Sequence, residues 1–158
     1  METTAETHLE LQGDLHFIAH TRSGHDVHLD SSVDPSAPLA GVTPMELQLV
    51  TLAGCTGMDV ISILRKMRQD VTSYDLRLSG ERATTHPRVY TSILLTHAFA
   101  GTSISEQSVR RAIELSMTRY CPVFAMLHPT VAIRERYDIT DPGTNSTIAG
   151  EVVLPTPA

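Results

Sequence analysis

The feature that most constrains this fold is a long apolar segment with the signals of a helix. Thr43 and Pro44 suit an N-cap followed by the first helical position. From Pro44 to Leu64 the residues are apolar on most sides, and only Gly54 and Gly57 could break the helix. This pattern predicts a buried central helix. One subunit of 158 residues has little material to wrap such a helix, so we expect a homodimer with the helix near its interface.

Short strands are predicted on both sides of this helix. Alternating residues in 9–30 predict two or three strands before it, and residues 31–43, rich in Pro, Gly and Ser, predict a loop. Two strands follow the helix. A second helix begins at the capping-box pattern Ser103-x-x-Glu106, and a short helix begins at Pro122 before a last strand.

The resulting order is β-β-β-α-β-β-α-α-β. Strands and helices form blocks rather than strict alternation, which predicts the α+β class. We assign residues 1–139 to a single domain. Residues 140–158 carry Pro, Gly, Thr and Asn and are predicted to form a loose tail.

Composition narrows the classes of function. Hydrophobic residues make up 41% of the chain and charged residues 19%, which is typical of a soluble globular protein. The net charge of −6 argues against nucleic acid and anionic membranes as partners. We expect no signal sequence, because the first residues are polar and acidic, and we expect the longest apolar run to be too short and too interrupted to span a bilayer. We therefore expect a cytoplasmic protein, in which a disulfide would be transient rather than structural.

The two cysteines of the chain, Cys55 and Cys121, do not belong to a C-x-x-C pair. Inert, buried cysteines are ordinary in globular proteins. Cys55, however, shares a helix face of roughly 80° with polar side chains. The polar residues on that face are Gln48, Thr51, Asp59 and Ser62. Such surroundings favour a reactive thiol, although part of the polar face could simply meet solvent.

Cys121 lies between Tyr120 and Pro122, at the expected N-cap of the short helix. Free N–H groups and the helix dipole would lower the pKa of a thiol there. The alternative is that Cys121 only caps the helix and packs in the core. Both interpretations stay open on sequence alone.

Other chemistries have weaker support. The neighbouring histidines His16, His20, His25 and His28 have no zinc-ligand spacing, and neither cysteine has a close histidine. We therefore predict no metal site. The chain also lacks a G-x-S-x-G nucleophile motif and a Gly-rich phosphate loop.

Two segments resemble a known family. "TPMELQLVTLAGCTGMDVISILRKMR" and "RAIELSMTRYCPVFAML" resemble the OsmC/Ohr family of organic hydroperoxide reductases, over residues from about Gly13 to Ile139. The pattern P-M-E-L…G-C…D-V is most similar to one branch of that family. The resemblance implies an OsmC-like fold in which two sheets wrap long central helices of an intertwined homodimer.

The resemblance also implies a reaction. Cys55 would attack the peroxide O–O bond and become a sulfenic acid, and Cys121 would close a disulfide with it. An external dithiol, such as a lipoyl protein, would reduce the disulfide, and no cofactor is needed. We therefore predict a thiol-dependent peroxidase for organic hydroperoxides. The alternatives are a non-catalytic protein that binds an apolar small molecule and a thiol redox sensor.

Charged partners for Cys55 are expected from the same resemblance. Arg22 falls where the family has an arginine that would stabilise the thiolate and polarise the peroxide. Without the resemblance, Arg22 would be interpreted as a solvated turn residue. Glu46 lies nine residues before Cys55, on the opposite side of a straight helix, and the hydroperoxide-specific branch has its carboxylate at the position of Met45. Asp59 is a departure from those branches. Alone it would oppose the thiolate, so we expect either Glu46 or Asp59 to position Arg22.

The peroxide pocket is expected to be apolar, which favours alkyl or lipid hydroperoxides over hydrogen peroxide. Candidates for its lining are Met58, Met117, Phe124 and Met126. Each of these side chains could equally belong to the core.

Overall fold

The computed structural model describes residues 5–32, 34 and 36–154, which belong to two compact units, residues 1–48 and 49–158. The first unit holds a three-stranded antiparallel sheet in the order β1-β2-β3. Its strands are β1 (Thr7–Gly13), β2 (His16–Thr21) and β3 (Asp26–Leu29). The short strands expected from alternation are confirmed.

One face of this sheet is rich in histidine, because every second residue of a strand shares a face. His8 pairs with His20 across the strands, and His20 pairs with Asp26. His20 Nδ1 lies 2.7 Å from Asp26 Oδ1, and this hydrogen bond raises the pKa of the exposed His20 above its ordinary value.

Helix α1 (Pro44–Lys66) begins where the sequence predicts. The backbone N–H and the hydroxyl of Thr43 both donate to Glu46 Oε2 at 2.8 Å, and the N–H of Glu46 donates to Thr43 Oγ1 at 3.3 Å. This reciprocal arrangement is a capping box. The bonds from Thr43 lower the pKa of Glu46.

Only one side of α1 is buried in the single chain. Leu52, Thr56, Val60 and Leu64, spaced by four residues, are fully buried. Val50 and Met58 are 56% and 71% exposed. The expectation of a helix buried on most sides is therefore met only in part, and the homodimer stays a prediction.

The length and composition of α1 decide whether this helix could cross a membrane. Its most apolar 18-residue window has a mean hydropathy of 1.6, and the 23-residue helix is long and apolar enough to cross a membrane by these two criteria. The expectation that this run is too short is wrong. The core helix of a soluble protein meets the same criteria.

The second unit contains a four-stranded sheet in the order β4-β5-β6-β7. Strands β5 and β6 are parallel, and the other neighbours are antiparallel. The strands are β4 (Val71–Arg82), β5 (Tyr90–Gly101), β6 (Ala132–Asp141) and β7 (Ser146–Val152). The connection from β5 to β6 contains α2 (Glu106–Leu115), a π-helical turn (Ser116–Tyr120) and α3 (Pro122–Leu127). The α+β class and the element order through β6 are confirmed.

Two details of the sequence interpretation are wrong. Residues 140–152 do not form a loose tail, because β7 pairs with β6 and the turn residues of 142–145 connect the two strands; residues 155–158 lie outside the described residues. The N-cap of α2 is Ser105, whose hydroxyl accepts from the N–H of Ser108, whereas Ser103 has a φ of +54°. The assignment of residues 1–139 to a single domain stays a prediction.

The core of the second unit lies on one face of its sheet. Ile93, Leu95 and Phe99 alternate along β5 with exposures of 2% or less. Helix α1 packs against β4, since a Cβ at Gly57 would lie 3.5 Å from Leu76 Cδ2 and 3.7 Å from the ring of Tyr74. This packing fixes the residues that follow Cys55 on α1.

Candidate active site

Three side chains that can take part in chemical reactions lie close together in the second unit. Cys55 and Asp59 lie one turn apart on α1, and Cys121 caps α3. The two sulfurs and a carboxylate oxygen of Asp59 all lie within 4.8 Å of one another. Both cysteines are free; Cys55 is half-buried and Cys121 is 3% exposed. We call these three residues the thiol centre.

The π-helical turn and α3 hold Cys121 in place. The N–H of Cys121 donates to the carbonyl oxygen of Ser116 at 3.0 Å, and Pro122 occupies the first position of α3. The sulfur of Cys121 accepts from the N–H of Phe124 at 3.3 Å and from the hydroxyl of Thr56 at 3.6 Å. The predicted N-cap is confirmed.

Sequence alone left two interpretations of Cys121 open, and the one with a lowered thiol pKa is wrong. Burial raises the pKa of Cys121 to about 11, and its hydrogen bond with Cys55 adds to this. The bonds from Phe124 and Thr56 lower the pKa by less. The short α3 offers a weak dipole, so the cost of desolvating a thiolate exceeds the benefit of the cap.

Asp59 forms the polar side of the thiol centre. The hydroxyl of Ser116 donates to Asp59 Oδ2 at 3.2 Å. Asp59 also lines a cavity of about 320 Å³, whose other lining residues are Ser62, Ile63, Lys66, Met67, Leu115 and Tyr120. A carboxylate beside two thiols therefore opens onto a partly apolar cavity.

Arg22 and Glu46 belong to the first unit. Arg22 is exposed in the turn between β2 and β3 and makes no hydrogen bond or ion pair with another described residue of the first unit. Glu46 Oε2 accepts both bonds from Thr43. The roles expected for Arg22 and Glu46 beside Cys55 stay predictions.

The residues expected to line an apolar pocket have different surroundings. Met117 and Phe124 are buried, with exposures of 5% and 2%, whereas Met58 and Met126 are about 70% exposed. Phe124 approaches the thiol centre through its backbone N–H. The lining of a peroxide pocket stays a prediction.

Sequence reasoning missed two hydroxyls that contact the thiol centre, those of Thr56 and Ser116. Thr56 lies outside the polar face of Cys55 on α1, yet it is fully buried and donates to Cys121. Ser116 opens the π-helical turn, for which the sequence carries no clear signal.

It also missed a buried polar chain of three residues, Tyr74, His97 and Glu135. Tyr74 Oη lies 2.8 Å from His97 Nδ1, and His97 Nε2 lies 2.9 Å from Glu135 Oε2. The side chains of His97 and Glu135 are completely buried, and Glu135 Oε1 has no hydrogen-bond partner among the described residues. Burial raises the pKa of Tyr74. A signal was present: His97 is in phase with the apolar face of β5.

Comparison with known proteins identifies the family. Residues 35–136 match the family model described as OsmC-like protein.

The chain belongs to the OsmC-like protein family.

Relatives and solved structures agree with this assignment. The chain is 37% identical to Protein YhfA of Escherichia coli K12 over 125 residues, which cover 79% of this chain and 90% of that protein. A hypothetical protein from Aquifex aeolicus is 30% identical, with a TM-score of 0.78 over 89% of this chain and 98% of that one.

An organic hydroperoxide resistance protein from Elizabethkingia anophelis shares the fold at 10% identity. Its TM-score is 0.65, over 89% of this chain and 99% of that one. The resemblance inferred from the two cysteine motifs is confirmed.

Proposed function

We propose that this OsmC-like protein is a thiol-dependent peroxidase that reduces organic hydroperoxides. The observation that carries the proposal is the proximity of two free thiols, whose sulfurs lie within 4.8 Å of each other. A disulfide needs an S–S distance of about 2.05 Å, so small side-chain movements on α1 and at the start of α3 could close the bond.

The reaction has three balanced steps. The Cys55 thiolate attacks the distal oxygen of ROOH, the O–O bond breaks, and a sulfenic acid and the alcohol ROH form after one proton is taken up. The thiol of Cys121 then attacks the sulfenic sulfur, which forms the disulfide and releases water. An external dithiol then reduces the Cys55–Cys121 disulfide by thiol–disulfide exchange. The dithiol becomes a disulfide itself, and both cysteines return to thiols.

The environments of the two cysteines support this division of roles. Cys55 is half-buried, which gives a peroxide access to its sulfur. Cys121 is buried, and its raised pKa keeps it a neutral thiol near pH 7. A protonated Cys121 carries the proton that the departing oxygen of the sulfenic acid needs. The attacking role therefore suits Cys55 and the resolving role suits Cys121.

The organic part of the substrate fits the apolar surroundings of the centre. The cavity beside Asp59 offers Ile63, Leu115 and Tyr120, and the exposed Met58 lies one turn after Cys55 on α1. Apolar contacts of this kind favour an alkyl or lipid hydroperoxide over hydrogen peroxide.

The decisive experiment measures turnover of tert-butyl hydroperoxide with a dithiol reductant. We expect wild type to turn over and Cys55→Ser to lose activity, because serine cannot form the sulfenic acid. Cys121→Ser should still reduce about one equivalent of peroxide, and its Cys55 sulfenic acid should be trapped by dimedone and detected by mass spectrometry.

Equal, negligible rates in wild type and Cys55→Ser would reject a peroxidase. Full multiple turnover by Cys121→Ser would instead reject the disulfide step while leaving Cys55 as the attacking residue. Arg22→Met tests the activating cation predicted from the family resemblance, with a loss of rate as the expected result.

The proposal includes a homodimer and a cytoplasmic location. A second copy of the chain would cover the apolar side of α1 at which Val50 and Met58 are exposed. Sedimentation of the reduced protein at several concentrations tests this, with twice the mass of the chain expected. Free, redox-active thiols fit a reducing compartment, and fractionation of cells tests the location.

A further inference from the structure

We propose that the reduced thiol centre is a Zn²⁺ site with Cys55, Asp59 and Cys121 as its three protein ligands. The sequence predicted no metal site because neither cysteine has a neighbouring histidine. The fold instead brings a carboxylate one turn along α1 and the second thiol from the start of α3. Two sulfurs and one oxygen form a ligand set that zinc accepts.

The distances fit a tetrahedral site after small adjustments. With Zn–S bonds of about 2.3 Å and a Zn–O bond of about 2.0–2.2 Å, tetrahedral ligand atoms lie about 3.5–3.8 Å apart. The three ligand atoms here all lie within 4.8 Å of one another. Each pair therefore needs to approach by about 1.3 Å at most, which side-chain rotation can supply.

Neighbouring donors support the same three ligands. Ser116 donates to Asp59, and Phe124 and Thr56 donate to the sulfur of Cys121. Hydrogen bonds of this kind orient metal ligands and stabilise their charge. The half-buried position of Cys55 leaves room for water as a fourth ligand, as in zinc sites with an open position.

Metal binding and thiol oxidation exclude each other at this centre. Zinc needs both sulfurs as thiolates and releases their protons on binding, whereas a Cys55–Cys121 disulfide leaves neither sulfur able to act as a thiolate ligand. Bound zinc would thus shield both thiols. The metal site does not depend on the proposed peroxidase, since binding to reduced protein involves no peroxide.

The test uses Co²⁺ as a spectroscopic probe of the reduced, metal-free full chain. We expect a sulfur-to-cobalt charge-transfer band that saturates at one equivalent and disappears when Zn²⁺ is added. Histidine ligands give no such band, so any binding to the histidine-rich sheet is distinguished. Absence of the band would overturn the proposal.

Variants assign the ligands. Cys55→Ser and Cys121→Ser should each weaken Co²⁺ binding by at least about 10-fold, and Asp59→Asn by about 10-fold or more. Asp75→Asn is the matched control, because Asp75 is an exposed carboxylate on β4, and its affinity should equal wild type. An Asp59→Asn affinity equal to that of Asp75→Asn would overturn the three-ligand site.

A measurement on wild type alone guards against variants that fail to fold. One equivalent of Zn²⁺ should slow alkylation of both cysteines by N-ethylmaleimide at least about 10-fold, as counted by mass spectrometry. Unchanged alkylation of either cysteine would reject the site. Peroxide turnover of metal-free protein is measured separately, so that failure of the peroxidase and failure of the metal site are distinguishable.

Discussion

The thiol centre and the buried polar chain place ionisable groups in the same compact unit but in different surroundings. In the thiol centre Cys55 and Asp59 are half-buried, and Asp59 lines a cavity. In the buried polar chain His97 and Glu135 have no exposed surface, and two hydrogen bonds link them and Tyr74 in series. Groups in the thiol centre can form or break bonds or change their charge. Groups in the buried polar chain are held between fixed partners and stabilise the fold.

The largest loss of stability is expected from disrupting the buried polar chain. His97→Ala removes the partner of both Tyr74 Oη and Glu135 Oε2 and leaves a buried carboxylate without a hydrogen bond. Removing one member of a buried pair costs about 3–5 kcal/mol of unfolding free energy. Urea unfolding at fixed protein concentration measures the loss.

The exposed His20–Asp26 pair supplies the matched control for His97→Ala. His20 and Asp26 make the same kind of contact, but their side chains are 41% and 54% exposed. His20→Ala should change stability little, because water replaces the lost partner. Equal losses of unfolding free energy in the two variants would show that burial does not make the His97–Glu135 pair more important for stability than the exposed His20–Asp26 pair.

The second effect is a pH-dependent loss of stability at Cys121, the most buried residue of the thiol centre. Its folded pKa of about 11 lies above the ordinary value of 9.0, so the folded state holds the proton more tightly than the unfolded state. Stability is therefore fully present below pH 9 and is lost as pH rises toward 11. The full loss is about 3 kcal/mol, because the two states differ about 100-fold in proton affinity and each tenfold difference is worth roughly 1.4 kcal/mol; about 2 kcal/mol of it is expected by pH 11.

The pH effect is read as a difference between two proteins, since other groups titrate in alkali. Unfolding free energies of wild type and Cys121→Ser are measured from pH 8 to 11. Serine keeps the N-cap of α3 and removes the titrating thiol, so the wild-type curve should fall more steeply. Parallel curves would mean that burial does not control this thiol.

The third effect tests whether Asp59 assists or hinders Cys55. The carboxylate of Asp59 lies within 4.8 Å of the sulfur, so its negative charge repels the electron-rich sulfur as it attacks an electrophile. Asp59→Asn should therefore speed alkylation of Cys55 by iodoacetamide several-fold at pH 7, with Asp75→Asn unchanged. Slower alkylation in Asp59→Asn would show that the carboxylate assists the thiol.

Local signals predicted the elements better than the contacts between them. Thr43-Pro44 fixed the start of α1, and Pro122 fixed the start of α3, because capping depends on neighbouring residues. Strand β7 was missed because its Pro- and Gly-containing turn was read as a tail. Sequence alone left the burial of Cys121 open, because desolvation depends on the packing of distant segments.

The candidate site was predicted where one helix carries the residues. Cys55 and Asp59 share a face of α1, so helical spacing alone brings them together. Their proximity to Cys121 came only from the family resemblance, since no spacing rule relates residues on separate elements. The contact of Ser116 with Asp59 depends on a π-helical turn, and neither source predicted it.

The smallest effect probes the contact between the helix of the thiol centre and the buried polar chain. A Cβ at Gly57 would lie 3.5–3.8 Å from Leu76 and Tyr74, which is ordinary van der Waals contact. Gly57→Ala should therefore raise the unfolding free energy by about 0.5–1 kcal/mol, because alanine loses less backbone entropy in a helix. Alkylation of Cys55 should not change.

Gly80→Ala is the control in which the added methyl does not fit. Its Cβ would lie 2.6 Å from the ring of Tyr90, so this variant should be less stable than wild type. If Gly57→Ala also loses stability in urea, α1 lies closer to β4 than these distances allow, or a second copy of the chain occupies the space. A loss of stability that grows with protein concentration would identify the second copy, because only an interface depends on concentration.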